Sequence, residues 1–246
     1  MSEPLFYSEQ LSEPSAVLTL TGDEAHHAAA SRRLVVGETL WLFDGRGGLA
    51  RTTLLHISAH GRALDLRVEE QHTEPPPKPA IHLACALPKG DRQSTLLDMA
   101  TQLGITEFTP LVCERSVVKP GANSAERWRR ICLEACKQSR RPYLPILHAS
   151  ATPQEIVARD AGRANTVWIA HPSAAAVAVS RAVEQNASAD VTILVGPEGG
   201  FTEQEVEWTT GAGAQPIALG SAILRIETAA VALVAAFSLA AGSRTP

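Results

Sequence analysis

Four prolines in five positions, Pro75, Pro76, Pro77 and Pro79, constrain this chain more than any other feature. Proline lacks an N–H and fixes φ, so such a run neither continues a helix nor sits in a central strand. A stiff, extended linker is therefore expected over residues 73–80, with a first domain at 1–72 and a second at 81–246. The first stretch carries short strand-like segments: Ala16 to Thr21, Thr39 to Phe43, Ala50 to Ile57 and Ala63 to Glu69. One helix is expected from Asp23 to Leu34. Asp44-Gly45-Arg46-Gly47-Gly48 is a turn signal between two of the strands. Closely spaced strands with tight turns point to a small β-barrel.

Beyond the prolines the pattern alternates. Strands are expected at Ile81 to Leu87, Glu107 to Cys113, Thr166 to Ala170, Val191 to Val195 and Pro216 to Leu219, with an extended Leu144 to His148. Between them, helices are expected at Arg92 to Leu103, Ala125 to Ser139, Ala174 to Gln185 and Glu227 to Ala241. Thr152-Pro153-Gln154-Glu155 and Thr202 to Glu205 read as capping boxes that start two more. This alternation predicts a mostly parallel sheet covered on both faces, so the chain is α/β.

Composition excludes little. A net charge of −4 announces no nucleic-acid partner, although one basic face can bind RNA on an acidic protein. Met1-Ser2-Glu3-Pro4-Leu5 does not read as the start of a signal peptide, so none is expected, and the apolar run Thr228 to Ala241 is too short to span a bilayer. A cytoplasmic protein with a buried or dimer-forming last helix is expected, with no membrane contact. Cys85, Cys113, Cys132 and Cys136 lack zinc-finger spacing and read as small buried hydrophobes. His26-His27 reads as structural or surface, so no metal is expected.

Three elements could carry chemistry. Gly196, Gly199 and Gly200 follow a strand and precede the Thr202 cap, so backbone N–H groups there suit a phosphate or carboxylate. A plain strand-to-helix turn fits the same spacing, while a dinucleotide fingerprint and a P-loop do not. The second loop, Leu219 to Ala229, sets Arg225 and Glu227 beside apolar residues at a helix entry. They either pair with each other or face a ligand. The third element, Arg115 to Arg141, holds eight of the 22 Lys and Arg against two acids, with Trp128 among them. It suits phosphate contact and base stacking, or is a solvated helix face.

These residues resemble the RsmE family of bacterial small-subunit rRNA methyltransferases, of the SPOUT class. The matches are Leu194-Val-Gly-Pro-Glu-Gly-Gly-Phe-Thr-Glu-Gln-Glu205, Leu219-Gly220, Ile223-Leu-Arg225 and Glu227-Thr-Ala229. Upstream come Pro88-Lys-Gly-Asp91, Ala100-Thr101, Leu103-Gly104, Glu114-Arg-Ser116, Glu126-Arg-Trp128, Glu134-Ala135 and Gln138-Ser139. His26-His27, Val36-Gly37 and Phe43-Asp-Gly45 resemble the family's N-terminal domain. The resemblance implies a PUA-like RNA-binding β-barrel followed by a SPOUT domain with a deep trefoil knot. It also implies S-adenosylmethionine as cofactor and N3 of a uridine in 16S rRNA as methyl acceptor. A homodimer through the C-terminal domain is implied, acting on 16S rRNA or the assembled small subunit.

By the same resemblance the cofactor is expected at His171, Pro172, Leu194, Gly196, Pro197, Glu198, Gly199 and Gly200 on one side. Leu219, Gly220, Ile223, Leu224 and Arg225 complete its pocket. Arg225 is the candidate for stabilising the deprotonated base, and Glu198 or Glu227 the candidate proton acceptor. RNA contacts are expected from Arg32, Arg33, Lys89, Arg92, Arg115, Arg129, Arg130, Lys137 and Arg140. The chain departs from the family pattern at Ser221 and Ala222, which stand where Pro and Arg are usual. That departure keeps open a non-catalytic rRNA-binding factor, and the glycine loop keeps open an α/β nucleotide hydrolase.

Overall fold

The computed structural model describes residues 3–12, 15–58, 61–161, 165–186 and 188–242, so Met1 and Ser2, read above for a leader, lie outside the described residues. The chain forms two compact units, Met1–Pro76 with Cys136–Leu144, and Pro77–Ala135 with Pro145–Pro246.

In the first unit, β1 (Leu5–Tyr7), β2 (Val17–Thr21), β3 (Thr39–Phe43), β4 (Gly48–Ile57) and β5 (Ala63–Thr73) form one sheet. Its order is β1-β3-β4-β5-β2, with β1 parallel to β3 and the other pairs antiparallel. Alternation of apolar residues explains which face is covered. Leu18, Leu20, Leu40, Leu42, Leu64 and Leu66 point into one core, joined by Phe6. Strand β1 is too short to show a period, which is why the sequence did not announce it. The helix expected from Asp23 to Leu34 is shorter: α1 (Gly22–His26) runs into a π-helical turn, His27–Ser31, and ends there.

Gly47 sits at φ 100° in the turn between β3 and β4, a conformation that favours glycine. The Asp44 carboxylate organises that turn by accepting the N–H groups of Arg46 and Gly48 at 2.7 and 2.9 Å. The same turn exchanges hydrogen bonds with the later segment. Gly47 N–H donates to Pro142 at 3.1 Å, and Leu144 N–H donates to Gly45 at 3.0 Å. Lys137, only 8% exposed, pairs with Glu24 at 2.8 Å and lies over the Phe6 ring.

The second unit is a seven-stranded parallel sheet. Its strands are β6 (Ile81–Ala86), β7 (Glu107–Leu111), β8 (Ile146–Leu147), β9 (Thr166–Ala170), β10 (Val177–Ala178), β11 (Val191–Val195) and β12 (Gln215–Ala218). The order is β10-β12-β9-β11-β6-β7-β8. Strands β6 and β11 are buried at every residue, as continuous apolar runs in a sheet covered on both faces must be. The helices are α2 (Arg92–Gln102), α3 (Ser124–Ser139), α4 (Pro153–Ala161), α5 (Val179–Asn186), α6 (Glu203–Gly211) and α7 (Ile226–Gly242). Helix α7 packs against α2 and α5 and over β6 and β11. The helix expected at Ala174 begins only at Val179, because Val177–Ala178 is taken up by pairing with β12.

One buried polar network lies towards the N-terminal ends of these strands. His82 on β6 hydrogen-bonds Asp160 of α4 at 3.1 Å and Thr109 of β7 at 2.8 Å. Thr192 of β11 donates to Asp160 at 2.5 Å, and Arg159 pairs with it at 2.8 Å. Burial pushes the His82 imidazole below its ordinary range, outweighing the pull of Asp160. Burial would raise Asp160, but hydrogen bonds from His82, Arg159 and Thr192 hold it well below the usual carboxylate range.

Candidate cofactor and substrate cleft

The C-terminal ends of β12, β9 and β11, neighbours in the sheet, open into three loops. This is where open parallel sheets place ligands. Between the loops lies a cleft of about 250 Å³. Its walls include His171 and Pro172 after β9, Gly196, Pro197, Glu198 and Gly200 after β11, and Leu219, Gly220, Ile223 and Leu224 after β12. Of the residues expected to hold a cofactor, Leu194, Gly199 and Arg225 are not in the lining. Leu194 has no exposed surface and belongs to the core between sheet and helices. Arg225 is exposed beside the cleft, with no side-chain partner among the described residues.

The first glycine loop is held from both sides. A Cβ on Gly196 would lie 2.9 Å from the Phe201 ring, so glycine lets that ring close the back of the loop. At its far end the Thr202–Glu205 capping box forms as the spacing predicts. Glu205 N–H donates to Thr202 at 3.2 Å, and Thr202 N–H donates to Glu205 at 2.8 Å. The buried Glu205 carboxylate also accepts the Glu114 N–H at 2.9 Å. Arg115 donates to the carbonyls of Gly199 and Phe201 at 2.9 and 3.4 Å. That arginine, expected on RNA, is committed to the loop.

Arg92 was expected to contact RNA, yet it stands between the two candidate carboxylates. Its terminal nitrogens lie 3.8 Å from Glu198 and 3.6 Å from Glu227. Glu227, in the first turn of α7, therefore pairs with Arg92, and the Arg225–Glu227 pair considered above does not form. The second oxygen of Glu227 is buried without a hydrogen bond among the described residues. Arg92 follows the Pro88-Lys-Gly-Asp91 turn after β6, and β6 is the sheet neighbour of β11. Only the strand order brings these segments together, so no local spacing could reveal it.

The basic helix α3 divides by face. Trp128, Cys132, Ala135 and Cys136 are buried at helical spacing, while Arg127, Arg129 and Arg130 are exposed. Trp128 packs edge-on against Phe108 at 5.9 Å between centroids, so it is not free to stack on bases. Arg130 pairs with Glu126 at 3.2 Å. Arg32, Arg33 and Lys89 are exposed, whereas Lys137 is engaged within the first unit. Arg140 is likewise engaged there, donating to the Glu3 carbonyl.

All four cysteines are free and buried, as their spacing suggested. Burial pushes the Cys113 and Cys132 thiols up to about 12 and about 11, so neither supplies a thiolate nucleophile at neutral pH. Among the described residues no group of three or more His, Cys, Asp or Glu is placed to hold a metal ion. The cleft thus offers apolar side chains and loop backbone for a flat heterocycle, with the Glu198 carboxylate in its wall and Arg92 3.8 Å from that carboxylate.

Residues 74–238 match the model of an RNA methyltransferase domain, and residues 20–62 that of an RNA methyltransferase PUA domain. Ribosomal RNA small subunit methyltransferase E of a Synechocystis species is 37% identical, over 90% of this chain and 72% of that protein. Its Mycobacterium bovis counterpart is 34% identical over 94% and 90%. The same enzyme from Neisseria gonorrhoeae, solved with S-adenosyl methionine bound, superposes with a TM-score of 0.82 at 28% identity, covering 97% and 98%. A Legionella pneumophila methyltransferase solved with the same cofactor gives 0.85 at 28% identity, covering 98% of each chain. With its PUA-like unit, its parallel-sheet unit and its three-loop cleft, the chain belongs to the ribosomal RNA small subunit methyltransferase E family.

Proposed function

We propose that this protein transfers a methyl group from S-adenosylmethionine to N3 of a uridine in 16S rRNA of the small ribosomal subunit. The observation that carries this reading is the cleft at the ends of β9, β11 and β12, in a chain of this family. Its residues suit the cofactor. Leu219, Ile223 and Leu224 supply apolar surface for adenine, and loop backbone supplies polar groups for its edge. When bound, the sulfonium supplies an electrophilic methyl.

Uridine N3 carries an imide proton on the Watson–Crick edge, so the base must be unpaired or turned out of its stack. Loss of that proton leaves negative charge shared with O2 and O4. The exposed Arg225 guanidinium stabilises that charge, and Glu198 or Glu227 accepts the proton. Much of the acceleration comes from alignment of N3, methyl and sulfur. Arg32, Arg33, Lys89, Arg129 and Arg130 contact phosphates.

The same reading assigns residues 1–72 to a PUA-like β-barrel, 73–80 to the linker and 81–246 to a SPOUT domain with a trefoil knot. It places the protein in the cytoplasm as a homodimer joined through α7 of the C-terminal domain. The return of α7 across β11 and β6 after β12 supports the knot. The deciding experiment incubates labelled S-adenosylmethionine with undermethylated small subunits and maps the modified base. Label at uridine N3 is expected, and no transfer to RNA across several assembly states overturns the reading.

A further inference from the structure

Arg92, Glu198 and Glu227 come from three segments: the turn after β6, the loop after β11 and the start of α7. Glu227 is only 13% exposed, and its oxygen stands 3.6 Å from Arg92 Nη1. Arg92 Nη2 stands 3.8 Å from Glu198, and these two side chains are 33% and 43% exposed. At such distances the pairs attract electrostatically without consuming hydrogen bonds. Arg92 Nε is spent on the Lys89 carbonyl at 3.3 Å. Among the described residues the terminal N–H groups of Arg92 and the oxygens of Glu198 make no hydrogen bond; they stand side by side, and Glu198 lines the cleft.

A donor next to an acceptor is the complement of one side of the uracil edge. Uracil offers O4 as an acceptor beside N3–H as a donor, and cytosine reverses that order with an N4 donor beside an N3 acceptor. We propose that Arg92 and Glu198 together read the uracil edge, Arg92 donating to O4 and Glu198 accepting the N3 proton, while Glu227 acts as a positioning residue that holds Arg92. This rests on the uridine-N3 reading given above. The step balances. The N3 proton passes to Glu198, and the N3 electron pair forms the bond to the methyl carbon. The carbon–sulfur electron pair stays on sulfur, which loses its positive charge, and Glu198 later releases its proton to water. Arg92 faces the charge that develops on O4.

Single-turnover methyl transfer to undermethylated small subunits, at saturating S-adenosylmethionine across a pH series, tests the assignment. Cofactor affinity and thermal stability of each variant are measured in parallel. Wild-type label at uridine N3 secures the reading beneath the proposal, and label elsewhere overturns both. Arg92→Met and Glu198→Gln are each expected to slow transfer by about a hundredfold, with cofactor affinity held within about twofold. Arg92→Lys keeps the charge beside the partly buried Glu227, and therefore the fold, and recovers part of the rate. Glu227→Gln slows transfer less, and adding it to Arg92→Met costs nothing further. With wild type labelling N3, rates within about threefold of wild type for Arg92→Met and Glu198→Gln overturn the proposal. A loss of rate matched by an equal loss of cofactor binding overturns it equally.

Discussion

Gly196 and Arg225 show how differently single residues serve one cleft. Gly196 is a packing residue, because a methyl at that position would press 2.9 Å from the Phe201 ring. Gly196→Ala should cost about 1–3 kcal/mol through displacement of that ring, read as a lowered urea midpoint. Cofactor affinity, measured by calorimetry, should fall with it, since the ring backs the loop. Arg225 carries no comparable structural duty, being exposed and without a side-chain partner among the described residues. Arg225→Ala should leave the melting temperature unchanged and slow single-turnover methylation by about a hundredfold. Full rate with unchanged cofactor affinity would remove Arg225 from the chemistry and leave Arg92 as the guanidinium that faces the base.

Helix α6 is fixed by its first turn, and its capping residues differ in what else they hold. Thr202→Ala removes one cap bond and should cost about 1 kcal/mol. Glu205→Ala leaves both the Thr202 and Glu114 N–H groups without their acceptor, so its denaturation midpoint should fall further. Elements of this kind were legible in the sequence, because capping boxes, apolar alternation and proline breaks are all local. The limits of β10 and the existence of β1 were not, since two or three residues carry no period. Trp128 shows a related failure. Its charged sequence neighbours suggested an exposed aromatic, but a helix turns 100° per residue and carried it to the apolar face. Arg92 was hidden for another reason: its carboxylate partners lie over a hundred positions away, and only sheet order makes them neighbours.

At the scale of the molecule, acid should act first on the His82 network, far from the cleft. His82 and Asp160 both titrate below their ordinary values, so the unfolded chain binds more protons than the folded one. Stability is therefore full above the ordinary histidine value of 6.5 and declines as pH falls below it. A second decline follows below the ordinary Asp value of 3.8. Urea midpoints should drop between pH 7 and pH 5, and His82→Gln should flatten that slope. The arrangement of the first unit has a different consequence, for the order in which the protein is made. Its sheet is complete by Thr73, but Lys137, Pro142 and Leu144 fasten it through Glu24, Gly47 and Gly45. A nascent chain translated at about 5–20 residues per second leaves that sheet waiting several seconds for its last fastening. A pause or truncation before Cys136 would strand the first unit half-closed, so its completion is set by translation of the sequence that follows.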